Sequence, residues 1–342
     1  MRAEQIVGAG LVVATLSVAA GAVFAPVGHA RETSPQSRLG DEAACAAYDG
    51  LPDGWGVDPA AGLRAIPGGE FTFGSDRGYP DERPAGHGKV RLRPFSIDRT
   101  EVTVAQFADF VRVTGYVTEA ERQGGAVVFR IPTEAQMAER AYAWWTWVAG
   151  ADWRHPGGPG TGLDGLGHVP VTFVTRADAL AYAHWLGRDL PTEAEWEYAA
   201  KAGRDGPELD TAPRDAAGRP TANYWQGRFP AVDDATDGHA GLAPVGCYPA
   251  NGWGLHDMIG NAWEWTNDPY EGPHQPHQNG DTAAVAAAAA RLQRADRPYV
   301  IKGGSFLCSP DFCVRYRASA RESQEADLAT AHIGFRTVLR EP

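Results

Sequence analysis

Apolar and polar residues alternate over residues 66–74, IPGGEFTFG, where a Gly-Gly turn leads into Phe71 and Phe73, and this pattern predicts a short strand. A second strand is expected over 90–97. Between 104 and 111 the apolar side chains recur at three and four behind Thr103 as a cap, which predicts an amphipathic helix. The same period predicts a helix over 176–186. In PTEAEWEYAA, Thr192 stands three residues before Glu195, the capping-box arrangement that opens a third helix. From 203 to 299 the periodicity gives way to Gly, Pro, Asn, Asp and Trp, broken by the alanine run over 282–293, which predicts a surface helix. Residues 333–338 read as a closing strand.

The N-terminus has a pattern of its own. An uncharged run over 6–25 is followed by the small residues Gly28 and Ala30 and then by a polar stretch from Arg31. That is the layout of a signal peptide ending at residue 30. Twenty uncharged residues also suffice for a retained membrane anchor, although the many Ala, Gly and Val residues make the transfer energy modest. Residues 31–63 read as a polar arm and 64–342 as the folded domain. Export would place the protein where disulfides persist.

Composition narrows the function. With 31 Lys and Arg against 43 Asp and Glu, the net charge of −12 argues against a nucleic-acid binder, which needs basic faces. Gly (41) and Pro (25) make up about a fifth of the chain, high but short of the roughly 25–30% that marks low-complexity disorder. There is no internal repeat, P-loop, GxSxG or HExxH, so the common nucleotide and hydrolase readings have no support.

Three segments can carry chemistry. GGSFLCSPDFCVRYR places Cys308 and Cys313 five apart beside Arg315 and Arg317, and nearby cations favour the thiolate. The pair reads as a structural disulfide, as a redox dithiol, or as two soft ligands suited to low-coordinate Cu(I); a tetrahedral zinc site would need four ligands. DMIGNAWEWT sets Asp257 and Glu264 seven apart on a Gly-bearing loop, an oxygen-rich arrangement that suits calcium or a capped turn with two half-buried Trp. NYWQGRFPAVDDATDGH, from 223 to 239, has the same character. The ten histidines show no metal spacing, and His274 and His277 are expected on a surface loop.

In order along the chain, IPGGEFTFGS, IDRTEVTVAQFADFV, WWTWVAGADWRHPGGP, LPTEAEWEYAAKAG, ANYWQGRFP, NGWGLHDMIGNAWEWTND, KGGSFLCSPDFCVRYRASAR and HIGFR closely resemble the formylglycine-generating enzymes, or sulfatase-modifying factors, from about Arg64 to Arg340. LPTEAEWEYAA and GNAWEW are shared with non-catalytic relatives and sulfoxide synthases; the Cys pair is the specific part. The resemblance implies an α+β, single loop-rich domain with little regular secondary structure, of the formylglycine-generating-enzyme (C-type-lectin-like) fold. It implies an oxidase that uses O2 and a thiol reductant to convert the cysteine of a CxPxR segment in an unfolded sulfatase to Cα-formylglycine. By position, Cys308 and Cys313 would hold Cu(I), Ser305 would be the active-site hydroxyl, and Arg321 and His332 would bind the peptide. One structural calcium would take Asn223, Tyr224, Asp237 and His239; the other would take Asp257, Gly260, Ala262 and Glu264. The Trp-rich stretch 144–155 would wall the peptide groove or pack in the core. A non-catalytic module of the same superfamily and a thiol–disulfide oxidoreductase using Cys308 and Cys313 are the competing readings. Cys45 and Cys247 lie outside the motif, and their even count together with export makes a bond between them an expectation.

Overall fold

Local capping chemistry decides where the helices begin. Thr103, Thr118, Thr133, Thr175 and Thr192 each accept from the backbone N–H three residues on, while Gln106, Glu121, Gln136, Asp178 and Glu195 reach back to the cap, closing five capping boxes. The computed structural model describes residues 39–84, 88–272, 274 and 297–341. In chain order the elements are α1 (Glu42–Ala47), β1 (Leu63–Ile66), β2 (Gly69–Thr72), β3 (Lys89–Leu92), β4 (Phe95–Asp98), α2 (Val104–Thr114), α3 (Glu119–Gln123), β5 (Gly125–Phe129), α4 (Glu134–Glu139) and β6 (Trp145–Ala149). They continue with α5 (Arg176–Trp185), α6 (Glu193–Lys201), β7 (Gly227–Arg228), β8 (Val232–Asp233), β9 (Trp263–Pro269), β10 (Pro298–Lys302), β11 (Arg321–Glu325), β12 (Ile333–Gly334) and β13 (Val338–Arg340). Among the described residues the longest helix has 11 residues and the longest strand 7, and most of them lie in turns and loops. The expected α+β, loop-rich fold is what forms. The described residues belong to one compact unit, 33–342.

Two expected strands divide. The run over 90–97 breaks at Arg93-Pro94, since proline cannot donate to a ladder. β3 pairs with β2, whereas β4 enters a three-stranded sheet of order β1-β4-β13. The closing run breaks likewise: β12 lies parallel to β9, β13 joins β4, and residues 335–337 cross between the sheets. The central four-stranded sheet, β11-β10-β9-β12, carries the functional loops at its ends. Around it packs an aromatic core in which Phe107, Trp153, Tyr182, Trp265 and Phe335 are all buried. The β5–β6 hairpin is not signalled by periodicity.

Residues 39–63 are folded against the body rather than extended from it. Gly40 N–H donates to Gly246 O at 2.7 Å, Thr103 Oγ1 donates to Gly50 O at 2.6 Å, and Cys45 is disulfide-bonded to Cys247. The expected leader or anchor over 1–30, the first part of the arm and the alanine helix over 282–293 lie outside the described residues, as does His277. Among the described residues, no helix is long and apolar enough to cross a membrane. His274 departs from its expected surface position. It is buried, lies 4.1 Å from the Phe73 ring and meets Glu193 Oε1 at 3.0 Å, because a buried carboxylate recruits it.

Candidate active site

The segment after β10 turns at Gly303 and Gly304, both left-handed, with φ of 96° and 79°. A Cβ at Gly303 would lie 2.9 Å from the Trp196 ring, and one at Gly304 would lie 2.8 Å from Arg315 O, so only glycine lets the chain pass. Ser305 follows, fully buried; its carbonyl accepts from Cys308 N–H at 2.9 Å and its Oγ from Leu307 N–H at 3.3 Å. Ser309 and Cys313 exchange backbone hydrogen bonds of 3.1 and 3.2 Å, which closes the loop and faces the two sulfurs toward each other at 3.0 Å. Both cysteines are free, Cys308 buried and Cys313 half-buried. That separation is hydrogen bonding, well beyond the ~2.05 Å of a disulfide.

The two thiols differ electrostatically. Burial, then the hydrogen bond with Cys313, pushes Cys308 well above its ordinary range. Donation from Cys308 and the Arg315 charge draw Cys313 down. The two shifts bias the proton toward buried Cys308 and negative charge toward the more exposed Cys313. Arg315 is itself held by Asp81 at 3.1 Å, Glu82 at 3.3 Å and Glu322 at 3.2 Å, and it packs 4.4 Å over the Tyr79 ring. Two soft sulfurs fit a two-coordinate soft ion, and among the described residues no group of three His, Cys, Asp or Glu side chains forms a ready metal cage.

Beside the pair lies an aromatic surface. Phe312, immediately before Cys313, is 45% exposed and stacks on Phe229 at 4.5 Å and 8°, with Trp144 edge-on to both at 5.1 and 5.2 Å. Of the Trp-rich stretch, Trp144 and Trp153 are buried and Trp147 is 49% exposed. Trp145 joins the cluster that holds Phe306 and Leu307 and lies 4.6 Å from the His332 ring. Burial pushes His332 down to about 3, so its imidazole is neutral, with Nδ1 3.1 Å from Thr330 Oγ1.

Arg321 turns inward, although its carbonyl accepts from Arg315. It is 3% exposed and meets Glu193 through two contacts, Nε to Oε1 at 2.7 Å and Nη2 to Oε2 at 3.0 Å, while Nη1 donates to Asp81 O and Gly272 O. Every nitrogen of this guanidinium is engaged internally. Lys302 and His274 reach the same carboxylate at 3.5 and 3.0 Å, and the Lys302 charge, the His274 hydrogen bond and the Arg321 charge outweigh burial and hold Glu193 well below the usual carboxylate range.

The two acidic loops converge. Asn261 N–H donates to Asn223 O at 2.8 Å, and a Cβ at Gly260 would lie 2.1 Å from that same oxygen. Asn223 Oδ1 is buried without a hydrogen-bond partner. Asp237 accepts from Tyr224 N–H and His239 N–H, both at 3.0 Å, and burial pushes it up to about 6. The Gln226 amide bridges Tyr224 O and Asp237 Oδ2, in the gap between two expected ligands. In the second loop, Asp257 has φ 55° and accepts from Gly246 N–H at 2.6 Å; burial raises it to about 6. Glu264 is buried against Arg336, with two contacts of 2.7 Å. Periodicity and spacing miss a third carboxylate here. Glu101 is fully buried, its Oε2 has no hydrogen-bond partner among the described residues, and burial followed by the Asp257 charge pushes it well up. Asn261 links Asn223 to Glu101, so the orphaned oxygens of both lie in one network with three buried carboxylates that share Arg336, oxygen-rich surroundings but no ready cage.

A family model, "Sulfatase-modifying factor enzyme 1-like domain", matches residues 55–341. A formylglycine-generating enzyme of Mycobacterium tuberculosis is 46% identical over 294 residues, covering 80% of this chain and 96% of the relative. One from Streptomyces coelicolor is 42% identical over 280 residues, covering 79% and 87%. A mouse relative named as an inactive Cα-formylglycine-generating enzyme is 37% identical over 293 residues, covering 83% and 86%. Among solved structures, PvdO from Pseudomonas aeruginosa shares the fold, with a TM-score of 0.55 at 24% identity, covering 82% of this chain and 94% of that one. The chain belongs to the formylglycine-generating enzyme, or sulfatase-modifying factor, family.

Proposed function

We propose that this protein matures sulfatases by oxidising the cysteine of a CxPxR segment, in the unfolded polypeptide, to Cα-formylglycine, with Cys308 and Cys313 holding Cu(I) and with O2 and a thiol reductant as co-substrates. The observation that carries this reading is the free pair at 3.0 Å, one sulfur buried and the other reaching the surface. An inactive relative at 37% identity means that the fold alone does not argue for catalysis. Bound there, Cu(I) would supply O2 activation and a coordination position for the substrate thiol.

The chain's own groups have definable parts. Cys308 is buried and needs to give up its proton to act as a ligand; Cys313 is already biased toward the thiolate by Cys308 and Arg315. Gly303 and Gly304 set the turn that aims both sulfurs, and Ser305 supplies a hydroxyl in that turn. Phe312, Phe229 and Trp144 present an apolar face on which an extended peptide can lie beside the sulfur. His332, neutral and packed on Trp145, is a polar peptide contact that carries no charge. Arg321 contributes through Glu193, as a support for β11. Two calcium ions would hold the loops of Asn223, Tyr224, Asp237 and His239 and of Asp257, Gly260, Ala262 and Glu264, with Glu101 beside the second. The leader-like residues 1–30 and the bond between Cys45 and Cys247 favour an exported enzyme that meets its sulfatases while they are still unfolded.

The test is a reaction of the purified protein loaded with Cu(I), supplied with a CxPxR peptide, reductant and O2 and read by mass spectrometry for the aldehyde. Product from the wild type and none from Cys308→Ala is expected. No product, or equal product from both, overturns the assignment. Peptide disulfide in place of aldehyde would assign the pair to thiol–disulfide exchange.

A further inference from the structure

We infer that the concavity between Arg64 and Arg99 is a binding site for a small tetrahedral oxyanion, inorganic phosphate or sulfate. The pocket encloses about 200 Å³ and is lined by Tyr48, Asp53, Arg64, Asp98, Arg99 and Thr100 among others. That is below the roughly 300–1,000 Å³ of sites that take drug-sized ligands, and it suits an ion with a few waters.

The charge in this pocket is unbalanced. Arg188, Arg317, Arg321 and Arg336, all buried, are each joined to a carboxylate at 2.6–2.8 Å. Arg99 is half-buried, and its guanidinium has neither a hydrogen bond nor an ion pair among the described residues. Arg64 likewise has no side-chain partner there, although the chain carries 43 acidic residues. Burial is the main effect disfavouring charge on Arg99 and Arg64 adds to it, while Tyr48 and the Asp53 carboxylate act in the opposite sense. Of the acids on the wall, Asp98 is already neutralised: Oδ1 takes Arg188 at 2.8 Å, and Oδ2 takes Thr337 N–H at 2.8 Å and Thr337 Oγ1 at 2.6 Å. Asp53 stands exposed at the rim.

The Arg99 backbone is fixed on both sides, and the Arg64 guanidinium lies against the chain. Arg99 N–H donates to Gly62 O at 2.9 Å, and Arg99 O accepts from His256 N–H at 2.8 Å. Arg64 lies along Gly254, where a Cβ would come within 3.5 Å of its Nε. A burial cost only partly offset, two like charges near each other and a cavity that both residues line are conditions an oxyanion relieves, and arginine's planar fork matches phosphate and sulfate oxygens in pairs.

The experiment is calorimetric titration of the purified protein with phosphate and, separately, with sulfate, against chloride at matched ionic strength, alongside thermal midpoints. Saturable one-to-one binding of either anion is expected, with the affinity lowered tenfold or more in Arg64→Gln and in Arg99→Gln, as for the loss of a charge-assisted hydrogen bond. Binding of both anions assigns a general tetrahedral site, and binding of one alone sets its selectivity. No saturable heat or midpoint shift with either anion, or wild-type affinity in Arg64→Gln, overturns the site. Arg64 is exposed, so that variant keeps the test valid if Arg99→Gln does not fold.

Discussion

Arg336 grips Glu264 with two parallel contacts of 2.7 Å, Nε to Oε2 and Nη2 to Oε1, entirely out of water. Its Nη1 also donates to Asp98 O at 3.1 Å and its Nη2 to His256 O at 3.1 Å, so one side chain ties β9, β4 and the Asp257 loop together. Replacing it by leucine would leave Glu264 buried beside Glu101 and Asp257 with no cation. The expected cost is about 3–5 kcal/mol, the range for breaking a buried pair from one side. Urea unfolding of Arg336→Leu reads it directly; a loss below about 1 kcal/mol would show that the pair does not hold the loops.

Calcium and pH should act on the same carboxylates. In the metal-free protein, Asp257 and Asp237 have pKa values raised to about 6, above the ~3.9 of an unfolded aspartate. Between pH 4 and 6 the folded state holds protons that the unfolded chain has lost, so this contribution to stability falls as pH rises through the window and stays lost above it. Calcium bound to the ionised carboxylates, as proposed, would reverse the loss. Melting curves with and without chelator should therefore differ little at pH 4.5 and clearly at pH 7. Equal chelator effects at both values would reject the linkage.

The bond between Cys45 and Cys247 closes a loop across a sequence separation of 202. Loop entropy alone puts its contribution at about 5 kcal/mol. The double variant Cys45→Ala, Cys247→Ala should melt well below the wild type while both remaining thiols still react with a thiol reagent. A melt shifted by only a degree or two would mean that residues 39–50 stay docked without the bond.

Gly304 is the most exacting backbone position in the cysteine turn. Alanine there needs φ near 79° and places its methyl 2.8 Å from Arg315 O, a backbone atom that cannot swing away. Gly304→Ala should lose about 2 kcal/mol or more and should slow alkylation of Cys313, because the sulfur no longer meets the Cys308 proton or the Arg315 charge. An unchanged melting temperature with unchanged alkylation would refute the role given to the turn.

What could be read from the sequence was local. Thr103 with Gln106 and Thr192 with Glu195 announce their helices because cap and partner lie three residues apart. Cys308 and Cys313 were legible for the same reason. Pro94 was visible as a residue, but its effect, sending the halves of one apolar run to different sheets, depends on partners far along the chain. Glu101 went unnoticed as a member of the acidic cluster because nothing near it in sequence resembles a metal loop. It joins through Asn261 Nδ2 at 3.1 Å across 160 residues. Arg321 illustrates the opposite limit: residue type and position suit a groove, and only the fold reveals Glu193 beneath it. The β5–β6 hairpin was hidden because the pairing of Phe129 with Trp145 spans a helix, and aromatic residues suit wall and core alike.

The crossing between β12 and β13 bears on the order in which the molecule can be finished. Ile333 pairs with Trp263, Arg336 binds Glu264, Thr337 closes on Asp98, and Arg340 clasps Asp189 and Glu195. Each completes a carboxylate or strand that precedes it in the chain. Until they emerge, the Asp257 loop lacks its cation, and the sheet that supports the cysteine turn lacks its parallel partner. A nascent chain halted before residue 333 would hold every proposed copper and calcium ligand and still lack the ties that fix the loops carrying them.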